Sequence, residues 1–356
     1  MRPSLRGAAC GTTLPAVKLL PAALLISALA LLSWACAGSA GEGRAAASGG
    51  AASSAAALTE TPVRQISEPR AALLPDTLRL GDPFAVVLAL PEDREGLYAV
   101  LVSPRGRRLG RAAFFTLEED AGGAVLKAAF LAVPTLAASG EGRVMVEGPN
   151  APEGLGLPLV MAERDFPTET ITLNRRNTAI RAEPDPQKNT EAGELWAILN
   201  SAGTDVFAEG VFIPPLESTR RTSQFGDRRV YRYDTGASDT SVHAGIDYGV
   251  PPGARVGACA AGRVVFAGER IVTGNSVILE HLPGVYSLYY HLDSIALEAG
   301  ALVEAGDTLG ESGATGLATG PHLHWEIRAA GESADPDAFT AKPLLDRAAI
   351  HEVLSW

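Results

Sequence analysis

The stretch "GATGLATGPHLHWEIR", residues 313–328, holds two histidines one residue apart behind a loop rich in glycine and threonine. In a strand, residues i, i+2 and i+4 share a face. His322, His324 and Glu326 therefore point one way, while Leu323, Trp325 and Ile327 point the other and can pack a core. The chain has six histidines, and all of them lie beyond residue 242.

Two other segments follow the same rule. In "SVHAGIDYGV" (241–250), His243, Gly245 and Asp247 fall on one face, and Gly245 leaves the space between the two polar side chains open. In "YSLYYHLDS" (286–294), alternation groups Ser287, Tyr289 and His291 against Leu288, Tyr290 and Leu292. Three strands can thus each present a histidine from a polar face backed by an apolar one, and together they could line one groove. Imidazole nitrogen and carboxylate oxygen are zinc donors, and catalytic zinc sites use three protein ligands. The helical HExxH arrangement does not occur in the sequence.

With these pieces in place, the C-terminal third resembles the lysostaphin-type zinc metallopeptidases, which cut peptide bonds in bacterial peptidoglycan. The likeness is carried by "TSQFGDRR" (222–229), "HAGIDYGVPPGARV" (243–256), "GRVVFAG" (262–268), "YSLYYHL" (286–292), "GDTLGESGATGLATGPHLHWEIR" (306–328) and the Asp335–Pro336 pair. The resemblance implies a β-sandwich peptidase domain with an open groove and one Zn2+ per chain. It implies that His243, Asp247 and His324 are the metal ligands. It also implies that His291 and His322 are catalytic histidines free of the metal. A site of two neutral imidazoles and one carboxylate keeps a net charge of about +1 around the ion. Hydrolysis needs a base and a proton donor, for which His291 and His322 are the candidates.

The remaining positions take plainer readings. His281 lies at a strand end, and His351 in a short tail helix. Glu326 shares the face of His324 and is a candidate to support it from behind, with a solvated strand position as the plainer reading, and Cys259 reads as a small buried hydrophobe. Tyr231 and Tyr233 lie near the first ligand but not at a matching spacing, so neither takes a role.

The start of the chain reads as an export signal. Arg2, Arg6 and Lys18 precede the apolar run "LLPAALLISALALLSWA" (19–35). A permanent membrane anchor is the alternative, since the run is about the minimum length of a span. Cys36 follows Ala35, as in a bacterial lipoprotein signal, and is the candidate lipidation site; cleavage after Ala37 is the competing reading. Residues 37–60 are low-complexity Ala, Gly and Ser. Such a segment cannot bury enough apolar surface to order itself, and as a tether it would reach roughly 25–30 Å.

The first 65 residues are net basic by three charges, so the rest carries −14 of a total of −11. An acidic body argues against nucleic acid as a partner and against membrane attachment through surface charge. The expected partners are a peptidoglycan peptide and, through the lipid, a membrane.

The sequence therefore divides into a signal (1–36), a flexible linker (37–66), a β-sandwich accessory domain (67–165) and a connector with a short helix at 190–203 (166–217). A metallopeptidase domain (218–340) and a tail helix (341–356) follow. The fold class is mainly all-β. The connector is a candidate cover for the groove, so a chain starting near residue 216 should gain activity. The leading function is a zinc endopeptidase acting on peptidoglycan cross-links, with a D-amino-acid linkage as the expected target and a glycine bridge as the alternative. A different class of function is a non-catalytic module that binds peptidoglycan and regulates other wall hydrolases. Bound zinc and the release of new amines separate the two.

Overall fold

The computed structural model describes residues 66–75 and 77–356. The signal, Cys36 and the linker up to residue 65 lie outside the described residues. Among the described residues, no helix is long and apolar enough to cross a membrane.

The chain is mainly β. Two apolar runs, Pro83–Leu90 and Val125–Ala132, pair antiparallel and are buried along their whole length. A continuous run without alternation is the signature of a strand covered on both faces. These two strands form the middle of a four-stranded sheet, flanked by Arg70–Leu74 and Phe115–Glu119. On one face, Phe84, Val86 and Leu131 meet Leu101, Val144 and Leu159 of a five-stranded sheet. This is the expected accessory sandwich. On the other face, Ala85, Val87 and Phe130 belong to a core shared with Phe225, Ile246 and Trp325. The apolar run "AAFFTL" (112–117) is divided between two strands. Arg108–Ala113 belongs to the second sheet and Phe115–Glu119 to the first, so the chain crosses between layers at Phe114.

The C-terminal part is built on one large antiparallel sheet. Its path runs Arg221–Ser223, Gly245–Tyr248, Leu323–Ala329, Val285–Ile295, Gly274–Leu282, Gly262–Arg270 and Leu302–Val303. Trp325 and Ile327 pack into the core from one face, as the alternation predicts.

The connector carries one strand and two helices before an irregular stretch at 200–217. Thr168–Thr172 pairs parallel with Arg228–Arg232, which pairs antiparallel with Ser238–Val242, giving a small third sheet. A helix at Arg175–Ala182 follows, which the sequence reading did not contain. The second helix spans Pro186–Leu199, not 190–203. Asp185 caps it by accepting from the Gln187 backbone N–H, and Pro186 fills the first turn, where its missing N–H costs nothing. Glu191 is buried inside the helix. The tail forms a helix at Arg347–Leu354. Its Arg347, His351 and Trp356 all reach the carboxylate of Glu118 on the accessory sandwich.

Candidate metal centre

Register places the central residues. Gly245–Tyr248 and Leu323–Ala329 run antiparallel with Asp247 opposite His324 and Gly245 opposite Glu326. The next strand sets Tyr290 against His324 and Leu288 against Glu326. His243 lies just before its strand, in a break after Val242. A loop holds it there: its backbone N–H donates to the Asp227 carbonyl.

Two hydrogen bonds fix the ring nitrogens. His243 Nδ1 is 2.7 Å from the Gln224 carbonyl oxygen, which only accepts, so Nδ1 carries the proton and Nε2 the lone pair. His324 Nε2 is 2.9 Å from Glu326 Oε1 and donates to it, which leaves Nδ1 free. His243 Nε2, His324 Nδ1 and Asp247 Oδ1 then face one another with separations of 3.0, 2.7 and 3.1 Å. Atoms at such distances repel unless a proton or a metal cation lies among them, and a metal would take the place of the proton shared by His324 Nδ1 and Asp247 Oδ1. A tetrahedral zinc site with bonds of about 2.0–2.1 Å would space its ligand atoms by about 3.3 Å. The donor set therefore fits a divalent ion, and these three residues form the group able to hold one. Electrostatics agree. Burial pulls the His324 ring down, but Asp247 and Glu326 outweigh it and push it up to about 9. Burial pushes Asp247 up, yet the two imidazoles hold it well below the usual carboxylate range. The site selects for positive charge.

Gly245 serves a different purpose from the one its position suggested. A Cβ there would stand 2.1 Å from the Trp325 carbonyl oxygen and 2.9 Å from Glu326 Cγ. The glycine admits the neighbouring strand at close approach; it does not open space between the ligands.

His291 and His322 sit beside the three. Their rings are 4.7 Å apart, and His291 lies 6.2 Å from His324. His291 Nδ1 donates to the Thr315 carbonyl and His322 Nδ1 to that of Gly320, both at 2.8 Å. Each therefore presents an unprotonated Nε2, and that of His322 is 3.8 Å from Asp247 Oδ1. Burial and the neighbouring imidazoles pull His291 down to about 3, and burial lowers His322.

The expected grouping of His291 with Ser287 and Tyr289 on one face does not hold, and His291 reaches the site for a reason that alternation misses. Ser287 and Tyr289 point away from the site into the core, where Ser287 meets His281. Tyr290 shares the site face and stacks on His324 at 5.5 Å and 5° from parallel. His291 follows Tyr290 directly and should point away. A φ of 63° and a register shift against Gly274–Leu282 turn the strand at that residue and bring its ring back to the site. Such a left-handed conformation is uncommon outside glycine and persists only where the surroundings impose it.

Glu326 is not solvated. It is buried, accepts from His324, and pairs with Arg328 at 2.6 Å. His281 lies near the end of Gly274–Leu282, as expected, and is fully buried. Arg229 and Glu169, which the sequence reading passed over, stand behind Asp247. A cavity of about 280 Å³ opens over the site, lined by Glu169, Tyr231, Asp247, His291, His322 and His324 among others. A larger apolar cleft of about 360 Å³ lies between Leu74 and Phe339, and no histidine lines it.

The connector touches this site at three places. Glu169 reaches the second layer behind Asp247. Asn177 Nδ2 donates at 2.8 Å to the carbonyl of Ala318, in the loop that leads to His322. The helix Pro186–Leu199 lays Leu195, Ile198 and Leu199 on Leu288 and Tyr290, on the sheet face that carries His324.

Imidazoles and a carboxylate converging from neighbouring antiparallel strands define a candidate metal centre of the hydrolytic kind. Residues 241–336, a segment holding all five site residues, match the model of Peptidase family M23, and this part of the chain is an M23 peptidase domain. The DD-carboxypeptidase/endopeptidase Mpg of Neisseria meningitidis serogroup B is 40% identical over 127 residues, covering 36% of this chain and 28% of the relative. The peptidoglycan DD-endopeptidase ShyB of Vibrio cholerae is 39% identical over 85 residues, covering 24% and 20%. The chain thus spans less than a third of the length of these curated relatives. A solved structure of a putative M23 peptidase from Pseudomonas aeruginosa aligns over 71% of this chain and 92% of its own, at 21% identity and a TM-score of 0.49.

Proposed function

We propose that this chain is a zinc-dependent endopeptidase that hydrolyses peptide cross-links of bacterial peptidoglycan. One observation carries the reading: three atoms able to ligate a metal, on His243, Asp247 and His324, converge within 3.1 Å of one another. The relatives named DD-endopeptidases support the substrate class. When bound, such an ion supplies Lewis-acid chemistry, acidifying water and polarising a carbonyl.

The chain's own residues do the rest. His291 and His322 approach a substrate with Nε2 unprotonated, so each accepts a proton at that atom. The ring that takes the proton of the attacking water then returns it to the departing amine. The carbonyls of Thr315 and Gly320 fix both rings in the tautomer that this requires. Burial keeps them neutral at physiological pH. The export signal and Cys36 support an envelope location with the body tethered by lipid.

The test is release of amines from purified peptidoglycan sacculi, with mass analysis of the fragments. The expected result is chelator-sensitive cleavage at peptide cross-links. Protein that binds sacculi but releases nothing, with zinc supplied, would contradict the proposal and favour a regulatory module.

A further inference from the structure

Asp247 offers two carboxylate oxygens, and only Oδ1 faces the two imidazoles. Oδ2 accepts from Arg229 Nη2 at 2.6 Å. The same guanidinium donates from Nε to Glu169 Oε1 at 2.5 Å, and its Nη2 reaches Ser223 Oγ at 2.8 Å. The Arg229 side chain is 13% exposed and Asp247 is 9% exposed, so this pair is shielded from water. Placement is set by the backbone. Thr168–Thr172 runs parallel to Arg228–Arg232 with Glu169 in register with Arg229. Neither residue lies in the matched segment 241–336.

We propose that Arg229 is a positioning residue that locks the Asp247 carboxylate with Oδ1 toward the metal, and that Glu169, from the connector strand, locks Arg229. The proposal rests on the metal reading given above. Its physical basis is a rotation. A carboxylate held at one oxygen only can turn about its Cβ–Cγ bond and swap or share its oxygens. Arg229 occupies Oδ2 and removes that freedom. A guanidinium can do this while gripping a second carboxylate because its donors form a rigid planar fork, which a lysine ammonium lacks. Glu169 also balances charge: a cation next to a metal ligand works against the ion unless a second anion offsets it. Partners behind metal ligands commonly change metal affinity by about 10–100-fold. On this account the connector strand is a working part of the metal centre.

The experiment measures zinc affinity of the full chain by competition with a chromophoric chelator, alongside thermal unfolding of the same samples. The variants are Glu169→Gln, Arg229→Lys and the two combined. Each single variant should bind zinc about 10–100-fold more weakly while keeping a melting temperature close to that of the unaltered chain. Glu169 reaches Asp247 through Arg229 and also accepts from Ser223 Oγ at 2.7 Å, so the double variant should lose less than the product of the two single losses. Unchanged affinity in Glu169→Gln overturns the proposal, as does a double variant whose loss is the product of the single losses. Arg229→Lys binding zinc like the unaltered chain would show that charge, not the fork, is what matters, and would overturn it too. Should Arg229→Lys fail to fold, Glu169→Gln decides alone. An unaltered chain that takes up no zinc refutes the metal reading itself, a separate result from unchanged affinity in the variants.

Discussion

His291 and His322 bring their rings to 4.7 Å, each with Nδ1 tied to a backbone carbonyl and Nε2 free. The pair is aimed at a common space beside His324. His291→Ala and His322→Ala should each lower the rate of cross-link cleavage by about 10²–10⁴-fold, the usual span for a proton-transfer group. Bound zinc should be unchanged in both, since neither belongs to the converging triad. Metal analysis and amine release on the same preparations check both halves.

Gly245→Ala should damage the centre without touching a ligand. Its Cβ would meet the Trp325 carbonyl at 2.1 Å, so the two ligand-bearing strands must part. The expected cost is at least about 2 kcal/mol of stability together with loss of zinc. Urea unfolding and metal analysis read both. A fully stable, zinc-loaded variant would show that the strands can separate freely.

His281 gives the fold a pH dependence away from the metal. It is fully buried, with Nδ1 donating to the Ala261 carbonyl and Nε2 2.7 Å from the Ser287 hydroxyl. Burial pulls it down from 6.5 to about 4. The unfolded chain therefore binds a proton between these values that the folded chain refuses. The contribution is fully present above pH 6.5 and is lost as pH falls through about 4. It amounts to about 3 kcal/mol. In His281→Gln the fall in stability across that window should be smaller by about this amount, measured by urea unfolding at a series of pH values.

Removing the connector separates two effects. A chain starting at residue 216 loses the accessory sandwich that shares a core with Phe225, Ile246 and Trp325, the helix over Leu288 and Tyr290, and also Glu169 and Asn177. The contacts of Glu169 and Asn177 predict weaker zinc binding and lower cleavage in the shortened chain, about 10-fold or more. Higher activity per bound zinc would instead favour the cover reading drawn from the sequence.

The residues of the candidate centre were legible because rare residue types recur at a spacing of two beside apolar partners, as in His322, His324 and the core residues between and beyond them. What stayed hidden depends on events that spacing does not encode. The turn at His291 is a single left-handed residue that is not a glycine, so strict alternation misplaced Tyr290. Glu326 looked solvated because its partner Arg328 lies on the same strand and reads as surface charge. Arg229 sits in a run of arginines, and its register with Glu169 joins segments that only the folded sheet brings together. The early start of the connector helix was visible in Asp185–Pro186, a cap followed by a first-turn proline.

The most direct test is the metal content of the purified chain and of two variants, Asp247→Ala and His322→Ala. The account predicts one tightly held zinc per chain in the parent and in His322→Ala, and none in Asp247→Ala. A parent chain that remains metal-free when zinc is supplied, or an Asp247→Ala variant that keeps its ion, would contradict it.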